Sequence, residues 1–324
     1  MNKSLFRLLC ALLLLTDCLL GSAQSHSAIQ PKALPKSFYD WLSTPSMRHA
    51  TVALEVVRLP QQPALHEPTV HEPAIDRGRV IYSYDAERMV TPASVLKLLT
   101  AATGFRLLGR DYVWPDSIPM IDTAAVALPG LEYYNSDWLI EDIDTEYMPP
   151  LSNLLPDSGR VLGDVMHETL LHSLNPQAET MLRLLTPSCR LDSSLVALQN
   201  YWQHRGIDLS GLAMYDGCGL SPSDRVTAHL VNSVLADMQF DDDFRQSIAL
   251  VSREGTVRRF LLSTRLEARG RLKTGTLKNV VAYAGYLTGS DGRTYAVSFL
   301  VNNSTGPKPE LRKSIEKQLL SLIP

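Results

Sequence analysis

The order of periodicities along this chain limits its fold more than any single motif does. Ala50 to Leu59 (ATVALEVVRL) alternates as a strand does, and Gly78 to Tyr84 (GRVIYSY) forms a second such run. Between them Gln61 to Arg77, rich in Pro and His, reads as a loop, so the pair predicts a long-looped antiparallel hairpin. Thr91 to Leu108 has strong helical periodicity. Arg110 to Pro156, with many Pro, Asp and Tyr residues, has little and reads as a connector. Helical patterns then dominate from Gly159 to Phe240: Val161–Leu171, Pro176–Leu185, Asp192–Arg205 and Val226–Met238. Strand patterns return at Arg271–Thr276, Val280–Thr288 and Arg293–Val301, with Ser290-Asp291-Gly292 as the last turn. Glu310 to Leu322 closes the chain as a helix with Leu311, Ile315, Leu319 and Leu322 on one stripe. Two strands, many helices, three strands and a helix imply an α/β (α+β) fold. One antiparallel sheet is built from both chain ends, with an all-helical lobe inserted. The sheet part spans about 36–108 and 268–324, and the lobe about 150–265.

Composition excludes some functions. A net charge of -3 and a pI near 6.2 argue against a nucleic-acid binder, which would carry a basic face. Lys3 and Arg7, the apolar run Leu8–Leu15 and the small residues Gly21-Ser22-Ala23 read as a secretion signal over residues 1–23. A single domain over 24–324, exported to the periplasm, is the expectation. The alternative is lipid attachment at Cys18, which the acidic Asp17 beside it disfavours. Cys189 and Cys218 remain in the mature chain, either as a disulfide or as two buried thiols. His66 and His71 fall in the Pro-rich loop and read as solvent-facing. No zinc-type ligand cluster is present, and neither a metal nor an organic cofactor is expected.

Three clusters carry chemistry. In Thr91-Pro92-Ala93-Ser94-Val95-Leu96-Lys97, Thr91 suits an N-cap and Pro92 a first helical position, which puts Ser94 in the first turn beside unpaired N–H groups. Lys97 lies at i+3 on the same face, flanked by apolar residues, and a desolvated lysine can act as a general base. Taken alone, Ser-x-x-Lys is weak: Ser314-Ile315-Glu316-Lys317 repeats it without a cap or Pro. In Ser173-Leu174-Asn175 a hydroxyl and an amide can face one cleft. Tyr133-Tyr134-Asn135 competes for this role, but Ser173 leads into an apolar-periodic helix. In Lys273-Thr274-Gly275-Thr276 the lysine and hydroxyls can hold a carboxylate, and Gly275 lets a substrate approach the strand.

The three clusters in this order form the set found in β-lactamases and penicillin-binding proteins. With Asp216-Gly217-Cys218-Gly219-Leu220-Ser221, Gly255-Thr256-Val257 and Ala284-Gly285-Tyr286, the chain resembles the class C, type-4 penicillin-binding proteins, the D-alanyl-D-alanine carboxypeptidase/endopeptidase family. The resemblance implies a β-lactamase/transpeptidase-like fold, an antiparallel sheet flanked by helices plus an all-helical lobe. It implies that Ser94 is the nucleophile, Lys97 its base and Ser173 the relay to the leaving amine. Asn175 and Lys273 would position the substrate, and Thr274 and Thr276 would hold its terminal carboxylate beside Gly275. Peptidoglycan stem peptides are the implied substrates and β-lactam antibiotics the implied covalent inhibitors. Two departures stand out. The family usually has serine where Cys218 stands. It also carries extra domains between the first two clusters, where this chain has only about 75 residues between Lys97 and Ser173. A β-lactamase or esterase on the same fold, and a non-catalytic cell-wall-binding protein, are the competing readings.

Overall fold

The computed structural model describes residues 30–61, 76–115 and 159–324. The expected signal segment with Cys18, the histidines of the Pro-rich loop and Tyr133-Tyr134-Asn135 lie outside the described residues.

A short helix α1 (Lys36–Leu42) precedes strand β1 (Thr51–Arg58), whose partner β2 (Arg79–Tyr84) runs antiparallel to it, as the two alternating runs predict. A 3-10 turn (Ala93–Leu96) then feeds helix α2 (Lys97–Leu107). The helices α3 (Leu162–His172), α4 (Asn175–Leu184) and α5 (Leu191–His204) follow. A two-residue ladder of β3 (Leu212–Ala213) and β4 (Arg225–Val226) leads into α6 (Ala228–Asp237) and α7 (Asp242–Ser247). The chain ends with β5 (Gly270–Leu277), β6 (Val280–Thr288), β7 (Thr294–Asn302) and α8 (Lys308–Leu322). The short helix α7 and the two-residue strands β3 and β4 are not announced by the periodicities; they are too short for a stripe or an alternation.

The main sheet has five antiparallel strands in the order β2-β1-β7-β6-β5. Strand β1 from the N-terminal half lies between β2 and β7, with Leu54 opposite both Tyr84 and Phe299, so both ends of the chain share one ladder. One face packs on α1 and α8 through Phe38, Trp41, Val56, Phe299, Ile315 and Leu319. The other packs on α2 and α6, and that apolar cluster continues into the lobe through Met166, Leu182, Leu198 and Trp202. β6 and β7 are buried almost throughout, which is why their sequences read as continuous apolar runs. The stripe predicted for the last helix is buried as expected. From Lys32 onward the described residues form one compact unit.

Either side of residues 116–158 the chain meets itself. Trp114 donates to the Arg160 carbonyl at 2.7 Å, Gly159 donates to Trp114 at 3.0 Å, and Val113 bridges Val161. No helix among the described residues is long and apolar enough to cross a membrane.

Candidate active site

Ser94 sits on the 3-10 turn, one residue after Ala93, whose φ of 48° is a left-handed conformation unusual for a side chain with a Cβ. The expected N-cap geometry is therefore corrected: the α-helix begins only at Lys97. Thr91 does not cap it. Its N–H donates to Asn302 Oδ1 at 2.9 Å, its carbonyl accepts from Asn302 Nδ2 at 3.1 Å, and its hydroxyl accepts from Arg225 at 3.1 Å. These bonds tie the Ser94 turn to the end of β7 and to β4. Two glycines press on the same turn. A Cβ on Gly219 would lie 2.0 Å from the Ala93 carbonyl oxygen, and one on Gly275 would lie 2.5 Å from that of Pro92. Gly275 thus leaves room for the Ser94 turn.

Lys97 is 1% exposed, and its Nζ is enclosed by three oxygens. Ser94 Oγ is at 2.9 Å, Asn175 Oδ1 at 2.6 Å and the Cys218 carbonyl at 2.7 Å. Burial holds its pKa below the ordinary lysine value, while Cys218, Asp216 and Glu179 oppose that shift. A neutral amine has two hydrogens and one lone pair. Donating to Asn175 and Cys218 leaves the lone pair for the Ser94 hydroxyl, which is the geometry of a general base.

Ser173 terminates α3 in the left-handed region (φ 62°, ψ 39°), and the turn swings its hydroxyl to Lys273. Lys273 is fully enclosed and donates to Ser173 Oγ at 2.9 Å and to the Thr274 carbonyl at 2.8 Å. Burial, and then the nearby Lys97, drives its pKa well down. Leu174 follows, and Asn175 opens α4 with Pro176 in its first turn. Thr274 Oγ1 donates to Thr256 Oγ1 at 2.8 Å, and Thr276 Oγ1 stands 3.5 Å from Arg312. The structure thus brings Ser94, Lys97 and Asn175 into one hydrogen-bonded group and Ser173 and Lys273 into a second. Coulombic coupling between the two lysines links them.

Sequence reasoning passed over the support behind Lys97. The Asp216 carboxylate accepts the N–H groups of Cys218, Gly219 and Ser221 at 3.1, 2.6 and 2.6 Å, and so shapes the loop that offers the Cys218 carbonyl. Glu179 accepts from Gly217 at 2.8 Å, and burial raises its pKa. An acidic residue ahead of a glycine turn is a recognised signal for such a loop. Glu179, Asp216 and Cys218 lie close enough together to suggest a metal site, but Asp216 already accepts three backbone donors. Cys189 and Cys218 are both free thiols. The decoy serine, Ser314, has a structural role: it accepts from Trp41 at 3.0 Å and donates to Leu311 at 2.8 Å.

A five-stranded antiparallel sheet with a helical lobe and a serine–lysine pair below it defines the β-lactamase/transpeptidase class of fold. Penicillin-binding protein 4 of Haemophilus influenzae matches with a TM-score of 0.62 and 15% identity, over 89% of this chain and 99% of that one. A class A β-lactamase of Bacteroides cellulosilyticus matches with a TM-score of 0.56 and 15% identity, over 90% and 98%. At such identity the likeness speaks for the fold alone. Residues 55–119 and 161–322 match the D-Ala-D-Ala carboxypeptidase 3 (S13) family, and the chain belongs to that family. The D-alanyl-D-alanine carboxypeptidase of Actinomadura sp. (strain R39) is 30% identical over 126 residues, which are 36% of this chain. The match spans 23% of that relative's length.

Proposed function

We propose that the protein is an exported serine-type D-Ala-D-Ala carboxypeptidase that cleaves peptidoglycan stem peptides through an acyl-enzyme on Ser94. The observation that carries this reading is the enclosure of Lys97 Nζ by Ser94 Oγ, Asn175 Oδ1 and the Cys218 carbonyl, at 2.9, 2.6 and 2.7 Å. Lys97 takes the Ser94 proton as Oγ attacks the carbonyl carbon of the scissile bond. The tetrahedral intermediate collapses, the C–N bond breaks, and the departing amine takes a proton through Ser173, which Lys273 holds in place. Asn175 spends its Oδ1 on Lys97, which leaves its Nδ2 to orient a substrate carbonyl. Thr274 and Thr276 take the terminal carboxylate. Water then releases the acyl group, with Lys97 again serving as base. β-Lactams enter by the same attack and are held as acyl-enzymes. The N-terminal residues 1–23 serve as the export signal in this reading, and the periplasm is the place of action.

The test is labelled penicillin on the purified protein. Wild type acquires one covalent label; Ser94→Ala acquires none, and Lys97→Met labels about 10²–10⁴-fold more slowly. Label surviving Ser94→Ala overturns the assignment. Release of D-Ala from a pentapeptide then separates the peptidase from a β-lactamase, which would instead turn the label over rapidly.

A further inference from the structure

Strand β5 lies at the edge of the main sheet, with β6 as its one ladder partner there. Near its start Arg271 also bridges Leu250 on the open side. Here a hollow of about 340 Å³ is lined by Arg245 of α7, by Arg269 and Arg271 at the start of β5, by Leu250, and by Tyr286 and Thr288 of β6. Sites for small ligands begin at about 300 Å³. No residue of the Ser94 or Lys273 groups lines this hollow.

Three guanidinium groups share it, and the fold neutralises them only in part. Arg271 is 3.4 Å from Glu254 Oε2, but that oxygen also accepts the Leu250 N–H at 2.8 Å. The carboxylate of Arg245 is Asp242, at 4.0 Å and 81% exposed, a pair that solvent screens. Arg269 has no carboxylate partner among the described residues. Its Nε and Nη2 donate instead to the carbonyls of Thr288 and Gly289 at 3.3 and 2.9 Å. Carbonyls steady the other two as well: Arg271 Nη1 donates to Ile248 at 2.7 Å, and Arg245 Nη1 to Gln239 at 3.2 Å. Arg245 also lies over the Tyr286 ring, 5.5 Å from its centroid. A guanidinium has five N–H donors. Arg269 therefore keeps Nη1, and Arg245 and Arg271 each keep Nε and Nη2, without an acceptor among the described residues. The hollow combines held guanidinium groups, spare donors and surplus positive charge with an aromatic and aliphatic wall.

We propose that this hollow is a binding site for a phosphoryl group borne by a small organic molecule or headgroup, separate from the catalytic centre. Guanidinium forks match phosphate oxygens in pairs, and the surplus charge favours a dianion over a singly charged carboxylate. Tyr286 and Leu250 would cover the organic part. The role is recognition, and it does not depend on the acyl-enzyme reading.

The test is calorimetry on the full chain in phosphate-free buffer of low ionic strength, with glycerol 3-phosphate as probe and acetate as control. One glycerol 3-phosphate binds per chain, and acetate binds at least about 10-fold more weakly. Arg269→Gln and Arg245→Gln each weaken glycerol 3-phosphate by about 10-fold or more, and both variants take penicillin label as wild type does. Absence of saturable binding to wild type overturns the proposal. So does binding that both variants retain, or that acetate matches. Should Arg269→Gln melt below wild type, Arg269→Lys carries the comparison: it keeps the charge, loses the fork, and binds between the two. Sedimentation with phosphatidylcholine vesicles containing phosphatidic acid separates the two sources of the group. Arg269-dependent co-sedimentation supports the site with a lipid headgroup as its ligand. Binding of glycerol 3-phosphate without co-sedimentation supports it with a soluble phosphomonoester.

Discussion

Asp224 is a carboxylate whose protonation the fold alters. Its side chain is fully buried; Oδ1 accepts from the Tyr215 N–H at 2.8 Å, and Oδ2 has no donor. Burial, and then the neighbouring Asp216 charge, pushes its pKa from 3.8 up to about 9. At neutral pH the folded protein holds this proton and the unfolded chain has released it. Stability therefore falls as pH rises from near 4 to about 9, which is the reverse of the usual salt-bridged carboxylate. Asp224→Asn keeps the acceptor for Tyr215 and replaces the protonated oxygen with a permanent donor toward Asp216. The variant should melt at a higher temperature than wild type at pH 7 and at nearly the same temperature at pH 4, as followed by calorimetry. None of this was legible in the sequence, where Asp224 is one acidic residue among many. The Ser94, Ser173 and Lys273 clusters were legible because each needs neighbours at fixed short spacing. Asn302 acts on Thr91 across 211 residues, which a local pattern does not record.

At the level of elements, most of the fold followed from periodicity. Strands β1, β2, β5, β6 and β7 and helices α3, α4, α5, α6 and α8 fall within a few residues of the runs that predict them. The departure is at the Ser94 turn, where local capping preference loses to tertiary bonds from Asn302 and Arg225, and a 3-10 turn with a left-handed Ala93 replaces the expected cap. Gly219 and Gly275 make that turn possible by omitting a side chain on each side of it. Gly219→Ala and Gly275→Ala should therefore displace Ser94 from Lys97. A shift near 1 Å is enough to slow penicillin acylation by about 10²-fold. The far-UV circular dichroism of the Gly275→Ala protein should remain that of wild type. Gly219 has a φ of 82°, so its variant should also lose about 1–2 kcal/mol of stability, which thermal melting would register as a difference between the two. Unchanged acylation in both variants would mean that the turn does not govern the site.

Across the whole molecule, the sheet and the lobe share α2, whose buried residues join the sheet face to Met166, Leu182 and Trp202 in a single apolar cluster. The hydrogen bond from Trp202 Nε1 to Thr103 at 2.9 Å binds the lobe to the same helix. The lobe has no core apart from the cluster it shares with the sheet, so denaturant should unfold the two together. Leu198→Ala in the lobe and Leu319→Ala under the sheet each remove a fully buried side chain and should cost about 2–5 kcal/mol. Each should lower one common midpoint seen by both circular dichroism and tryptophan fluorescence. Two separated transitions in either variant would mean that the parts fold independently.

The paired backbone at Trp114 and Arg160 has a consequence for how such enzymes diversify. Because Trp114, Gly159 and Arg160 are hydrogen-bonded neighbours, the frame around Ser94 and Lys97 is closed at that point whatever number of residues lies between them. For a flexible segment between fixed ends, each doubling of length costs only about 0.6 kcal/mol in closure entropy. The neck is thus a natural docking port for modular growth or loss, at which a lineage can gain or shed whole accessory segments while Ser94, Lys97 and their partners keep their places.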